Sequence, residues 1–226
     1  MRKKSRFAGE RRSGKYASIF MDMKICGRHH FWNSRSLWSV VMILLAVLSL
    51  VPARAETRTA LVIGNDRYES AAGALRNSVN DARAVSRVLR QLDFTVIECH
   101  DVTRDQLLKG LTDFRKTLSG AEVGIFYYAG HGLSVAGANY LVPIKSGFQS
   151  AGADEVSLRL QAETKLLNAE QIVADMNTAG AGCNLIILDA CRNTPLARRT
   201  SSRSFAARGG LAEMTPPAGS LIAFAT

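Results

Sequence analysis

Two residues of this chain are of types that do covalent chemistry together, and each closes a strongly apolar run. Cys191 ends Asn184-Leu185-Ile186-Ile187-Leu188-Asp189-Ala190-Cys191, and His131 ends Val123-Gly124-Ile125-Phe126-Tyr127-Tyr128-Ala129-Gly130-His131, with Gly132 directly after it. A thiolate is a nucleophile, and an imidazole can take the thiol's proton and later hand it to a leaving amine. An unaided cysteine, with a pKa of about 8.5, is only a few per cent ionised at neutral pH, so the partner matters. A lone cysteine is more often a small buried hydrophobe, and a lone histidine more often structural. Both lying at the end of apolar strands, with glycines on either side of the histidine, favours chemistry. Asp189 lies two positions before Cys191, so the pair would face one side of the sheet if the strand persists that far.

The elements that must position these residues follow from apolar patterning. Residues 60–64, 123–131 and 184–188 are apolar on both faces, as central strands of a parallel sheet are. Between them lie amphipathic helices. Ala82, Val85, Leu89 and Leu92 follow helical spacing after a cap at Ser78 or Asn80. Thr103 and Gln106 form a capping box ahead of Leu107, Leu108, Leu111, Phe114 and Leu118, which share one side. Asn168 and Gln171 begin a third helix with Ile172, Val173 and Met176 inward. Residues 94–98 and 220–225 read as further strands, and 133–142 as a small hairpin turning through 136–139. The stretch 145–166 is polar and indistinct, and 192–210, with five arginines and no acid, reads as a flexible loop. Strands alternating with helices predict an α/β fold, a three-layer sandwich of three helices and five or six strands around a mostly parallel sheet with right-handed crossovers. In such a sheet, ligands and reacting groups gather at the carboxyl ends of the strands.

With Tyr128-Ala129-Gly130-His131-Gly132 and Asp189-Ala190-Cys191-Arg192-Asn193 in view, the chain resembles the caspase-like cysteine peptidases, particularly the bacterial relatives of metacaspases. The first strand, Ala60-Leu61-Val62-Ile63-Gly64-Asn65, and the segment Leu75-Arg76-Asn77-Ser78-Val79-Asn80-Asp81-Ala82 match as well, and the similarity runs from about Thr57 to Thr226. True caspases carry Gln-Ala-Cys-[Arg/Gln/Gly]-Gly. Asp189 in place of Gln and Asn193 in place of Gly point to the metacaspase side, away from cleavage after aspartate.

The resemblance implies a caspase-like fold and peptide-bond hydrolysis through a thioester. Cys191 would be the nucleophile, His131 the general base and then acid, and the backbone N–H groups of Gly132 and Cys191 the oxyanion hole. It also implies that Asp81 joins Asp189 in the primary specificity pocket, where two carboxylates favour an Arg or Lys side chain. Asp81 could equally serve as a carboxylate at a helix start. Arg76 lies near where caspases place a pocket arginine, which would reverse the preference; two acids against one base tip the expectation to basic residues. Arg199, Arg203 and Arg208, just beyond the nucleophile, then become candidates for self-cleavage. Relatives continue beyond the position of Thr226 into further pocket-forming elements, so a shortened C-terminal end is expected, and a non-catalytic exported adaptor and a peptidase cleaving after Asp stand as rival functions. Calcium activates many metacaspase-like enzymes, and that activation stays open here; no ligand cluster for it is recognisable, nor zinc-ligand spacing or a phosphate loop, so no resident cofactor is expected.

Charge and targeting bound the rest. Residues 1–55 hold 11 of the 29 Lys and Arg and 2 of the 19 Asp and Glu, which leaves 18 against 17 in residues 56–226. The overall +10 therefore sits in the leader, and a basic face for nucleic acid is not indicated. A basic start, an apolar core at 37–51 and Pro52-Ala53-Arg54-Ala55 read as a secretory signal peptide cut after Ala55. Met21 or Met23 as the true start would give a more ordinary leader. The core is short of the roughly 20 residues a span needs, so a membrane anchor is the weaker alternative, and the membrane is a partner only if the segment stays uncleaved. Residues 56–226 form the catalytic domain, exported to the periplasm or beyond, with a peptide or protein as substrate. Export removes Cys26 and leaves Cys99, Cys183 and Cys191, an odd set that predicts a free thiol. Their spacing does not establish a Cys99–Cys183 bridge.

Overall fold

The computed structural model describes residues 39, 41–43, 57–69, 73–150, 152–191 and 208–225, with the backbone alone at Cys191, Arg208 and Gly209. The chain divides into two units, Met1–Ala53 and Arg54–Thr226. In the first, the described residues Ser39 and 41–43 are helical; the remainder of the predicted leader, its cleavage position included, lies outside the described residues. Among the described residues no helix is long and apolar enough to cross a membrane.

The second unit is built on five parallel strands. They are β1 (Arg58–Gly64), β2 (Phe94–His100), β3 (Val123–Val135), β6 (Cys183–Cys191) and β8 (Ser220–Phe224), in the spatial order β2-β1-β3-β6-β8. Successive side chains on β1 go to opposite faces. Ala60 and Val62 join Ala82 and Leu89 of α1 (Ser78–Gln91), while Leu61 and Ile63 join Leu107, Phe114 and Leu118 of α2 (Arg104–Leu118). Ile172, Val173 and Met176 of α4 (Ala169–Ala179) complete that second face. The result is the expected sandwich of helices, sheet and helices.

The described residues of the second unit form four helices and eight strands, more than the apolar pattern predicted. The extra helix, α3 (Glu155–Lys165), occupies the stretch read as indistinct. Only Leu158 and Ala162 of α3 turn inward, while Val156 and Leu160 are 78% and 58% exposed, so its apolar stripe is too narrow to register as a period. The extra strands form an antiparallel extension: β4 (Ala138–Leu141) pairs with the far half of β3, and β5 (Leu167–Asn168) with β4. The turn is two residues long rather than four, with Ala136 at φ 51° and Gly137 at φ 86°, both left-handed as a tight hairpin requires.

Three further expectations are corrected. Asn77, not Ser78 or Asn80, is the cap of α1, and no side chain of its own turn caps it; instead Asp66 Oδ1, on the loop after β1, accepts the Val79 N–H at 3.2 Å. Leu108 is 39% exposed and lies off the buried face of α2. Residues 208–210 are not a loose loop: Arg208–Gly209 form β7, Arg208 pairs with Ser134, and Gly210 bridges to Leu133. Arg192, Asn193, Arg198, Arg199 and Arg203 lie outside the described residues. Cys99 and Cys183 are both free thiols. They stand on strands three places apart in the sheet, roughly 14 Å at the usual strand spacing, well beyond disulfide reach. The two capping predictions that rest on local sequence hold. Thr103 N–H donates to Gln106 Oε1 at 2.9 Å, and Asn168 Oδ1 accepts from Gln171 N–H at 2.8 Å.

Candidate active site

His131 sits where β3 passes from one ladder to another. Its parallel partner on β1 runs out at Gly64, opposite Ala129, and its antiparallel partner β4 begins at Leu141, opposite Gly132. On the other flank, β6 remains paired up to its last residue, and that last pair is His131 with Cys191. Neighbouring strands lie about 4.8 Å apart, so the two backbones are side by side at the carboxyl rim of the sheet. Fifty-nine residues of intervening chain are folded away to make this meeting.

The imidazole is 3% exposed and held on two sides. Its Nε2 lies 2.8 Å from the carbonyl oxygen of Gly73, on the segment between β1 and α1. A carbonyl oxygen only accepts, so Nε2 carries the proton, and in the neutral ring Nδ1 carries the basic lone pair. The Tyr68 ring leans on the imidazole with centroids 4.3 Å apart and planes tilted by 47°. The backbone of His131 is gripped as well: its N–H donates to the Tyr68 hydroxyl at 2.9 Å, and its carbonyl accepts from the Tyr128 hydroxyl at 2.9 Å and from Val142 N–H at 2.9 Å. The hydroxyls of Tyr68 and Tyr128 are 3.2 Å apart, and both reach the Val142 carbonyl, at 3.0 and 2.9 Å. Burial holds both phenols protonated, Tyr68 pushed up to about 12 and Tyr128 well above its ordinary value.

The flanking glycines have separate reasons. A Cβ at Gly130 would stand 2.5 Å from the Tyr68 hydroxyl and 2.7 Å from that of Tyr128, both fixed and buried. At Gly132 it would stand 2.9 Å from Ala190 Cβ and 2.9 Å from Leu211 Cδ2. Gly130 thus makes room for the hydroxyl pair, and Gly132 for the returning segment after β7. That segment is clasped by Asn139, whose Oδ1 accepts from Ala212 N–H at 2.6 Å and whose Nδ2 donates to Ala212 O at 3.1 Å. Glu170 in turn accepts from Asn139 Nδ2 at 2.9 Å. An open cleft of about 230 Å³ lies here, between Ala190 and Ala225 at the ends of β6 and β8, with Leu211, Ala212, Glu213 and Phe224 around it.

Of the predicted pocket residues, Asp189 touches a phenol and Asp81 lies near enough for its charge to be felt there. Tyr127 hydroxyl donates to Asp189 Oδ2 at 3.4 Å. Its pKa is raised by burial first, then by the negative charge of Asp189 and, next, that of Asp81 in the first turn of α1. Asp189 therefore holds the hydroxyl directly, on the α1 side of the sheet, and Asp81 adds only its charge. Arg76 is exposed, just ahead of α1. Sequence reasoning missed Tyr68, Tyr127 and Gly73 as site residues. Tyr68 and Gly73 lie on a connecting segment where no periodicity applies, and Tyr127 reads as one more apolar position of β3. Among the described residues no group of three or more His, Cys, Asp or Glu could hold a metal ion.

Comparison with known proteins gives three findings. The caspase-domain family model matches residues 57–226. The mucosa-associated lymphoid tissue lymphoma translocation protein 1 of Homo sapiens and its Mus musculus homolog are each 30% identical to this chain over 138 residues, covering 61% of it and 15% of theirs. The chain thus spans a small part of the length of those curated relatives. A crystal structure of the Drosophila initiator caspase Dronc superposes with a TM-score of 0.45 at 15% identity, over 60% of this chain and 49% of the other.

Proposed function

The chain belongs to the caspase-domain family, and from that premise we propose that residues 57–226 are a cysteine endopeptidase in which Cys191 attacks the peptide carbonyl and His131 manages the proton. The observation that carries this reading is the pairing of His131 with Cys191 at the rim, with the imidazole's Nε2 committed to the Gly73 carbonyl. Nδ1 takes the thiol proton, and the thiolate adds to the carbonyl carbon. By the resemblance, the resulting oxyanion falls to the N–H groups of Gly132 and Cys191, which must turn out of the β3–β6 ladder to reach it; one such donor is typically worth about 3 kcal/mol. The imidazolium then protonates the leaving amine, and a thioester remains. Water, deprotonated by the same nitrogen, hydrolyses it and restores the thiol. The chemistry calls on no cofactor.

A thiol-reactive peptide probe ending in arginine tests the assignment directly. It should label Cys191 and leave Cys99 and Cys183 untouched, and the label should disappear in His131→Ala. Folded protein that takes up no label at Cys191 would remove the peptidase reading in favour of a binding domain.

Specificity for Arg or Lys is supported by Asp81 and Asp189 acting together on the Tyr127 hydroxyl, since a cation entering there meets two anions. The same pocket chemistry makes Arg199 and Arg203 the self-cleavage points. Arg208 is a poorer one, because its backbone is tied into β7 and a bound substrate must be extended and unpaired. Incubated wild-type protein should yield new amino termini after 199 or 203. Cuts that appear unchanged in Cys191→Ala would overturn that. The basic leader and the apolar run at 37–51 support export, with the mature chain starting at Glu56.

A further inference from the structure

We infer that Tyr68 is a positioning residue for His131, setting the angle at which the imidazole meets the nucleophile; the inference rests on the Cys–His reading above and adds a member to it. At the seam in β3, Gly130 and His131 have lost β1 as a partner and have not yet gained β4 in full. A regular antiparallel pair would send the His131 N–H to the Val142 carbonyl, the reciprocal of the Val142 N–H bond to His131 O. Here the Tyr68 hydroxyl is inserted into that missing rung. It accepts from His131 N–H at 2.9 Å and donates on to Val142 O at 3.0 Å. The wedge lengthens one rung of the ladder, and the ring that carries it lies against the imidazole face. One side chain therefore fixes both the backbone of His131 and the plane of its ring, while Gly73, five residues further along the same segment, takes Nε2.

The loop carrying Tyr68 is itself pinned to the sheet. Asp101 Oδ1 accepts from Asp66 N–H at 2.8 Å and Arg67 N–H at 2.9 Å, and Asn65 N–H donates to Ala129 O at 3.0 Å. Tyr128 supplies a contrast. Its hydroxyl belongs to the same buried knot and reaches His131 O, but its ring has no stacking contact with the imidazole and it takes no N–H from His131. A purely structural role would make the two tyrosines equivalent; a positioning role separates them.

The experiment compares Tyr68→Phe with Tyr128→Phe in the full chain. Turnover of an Arg-terminated fluorogenic peptide is measured together with the pH dependence of Cys191 alkylation by iodoacetamide, read at that peptide by mass spectrometry with exposed Cys183 in the same digest as reference. Tyr68→Phe should lower kcat by about 10- to 100-fold with KM within about twofold, the scale of a small misplacement of a catalytic group. The alkylation midpoint should rise towards that of an unassisted thiol. Because Tyr68 and Tyr128 stay protonated through the range scanned, neither phenol can produce such a shift by its own titration. Tyr128→Phe, which leaves the ring contact and the His131 N–H bond to Tyr68 in place, should lower kcat by less than Tyr68→Phe does even where its melting temperature falls equally. Wild-type kcat and midpoint in folded Tyr68→Phe, or equal losses in both variants, overturn the inference. Should Tyr68→Phe not fold, 3-fluorotyrosine at position 68 keeps ring and hydroxyl while weakening the oxygen as an acceptor, and an unchanged kcat there overturns it equally. His131→Ala separates the two levels: if its alkylation profile matches wild type, the Cys–His reading fails and this inference with it. If only Tyr68→Phe matches wild type, the inference alone fails.

Discussion

Alanine at Cys191 will abolish hydrolysis of an Arg-terminated peptide, and alanine at His131 will cost nearly as much, a loss in kcat of about 10⁴- to 10⁶-fold on the scale of other nucleophile–base pairs. On the proposed mechanism the two act as one unit. Without the imidazole the thiol is mostly protonated at neutral pH and the leaving amine has no acid to protonate it. Without the sulfur there is no acyl acceptor, and a well-placed base has nothing to activate. The double variant should therefore be no worse than the more damaging single one. Initial rates at saturating substrate, with circular dichroism to establish folding, decide the matter. Losses that multiply would mean that the residues work independently, and turnover surviving in Cys191→Ala would move the nucleophile elsewhere.

The second large effect belongs to the pocket acids, and burial predicts that they will be unequal. Asp189 is partly buried, with a phenol donating to one oxygen, whereas Asp81 is exposed on the first turn of α1. Removing one member of a desolvated, hydrogen-bonded charge pair typically costs about 2–5 kcal/mol, while an exposed pair is worth about 0–1. Asp189→Asn should thus lower kcat/KM for an Arg-terminated peptide by about 30-fold or more, and Asp81→Asn by about fivefold or less. Arg76→Ala should leave that peptide's turnover unchanged. A panel ending in Arg, Lys and Asp reads all three variants. Preference for Asp in the wild-type protein, lost in Arg76→Ala, would reverse the assignment of the pocket.

The parts of the fold legible in the sequence are those where one local rule suffices. The runs that became β1, β3 and β6 are apolar on both faces because helices cover both faces, and the rule for central strands finds them. The Thr103 and Asn168 caps are satisfied within their own turns, so three-residue spacing reveals them. The cap of α1 was not legible, since its acceptor is Asp66, thirteen residues from the amide it serves and on another element. Helix α3 escaped because two inward residues do not make a period. That His131 and Cys191 lie together where the parallel pairing of β3 and β6 ends was readable for the same reason as the strands, although β3 itself runs on past His131 to Val135. Its supporting residues were not, because a wedge such as Tyr68 exists only where one ladder ends before the next begins, a boundary that pairing defines and sequence does not mark.

The terminal rung shared by β3 and β6 also has a consequence for when activity can arise. Parallel neighbours so distant along the chain are among the costliest contacts to close, so they form late in folding. A polypeptide emerging from the ribosome presents the histidine long before the cysteine strand exists, and even then it is inert until that strand zips to its very end. On the proposed peptidase reading, activity is thereby coupled to completion of the sheet: half-made chains could not digest themselves or their neighbours, and only a molecule that has finished folding would acquire teeth.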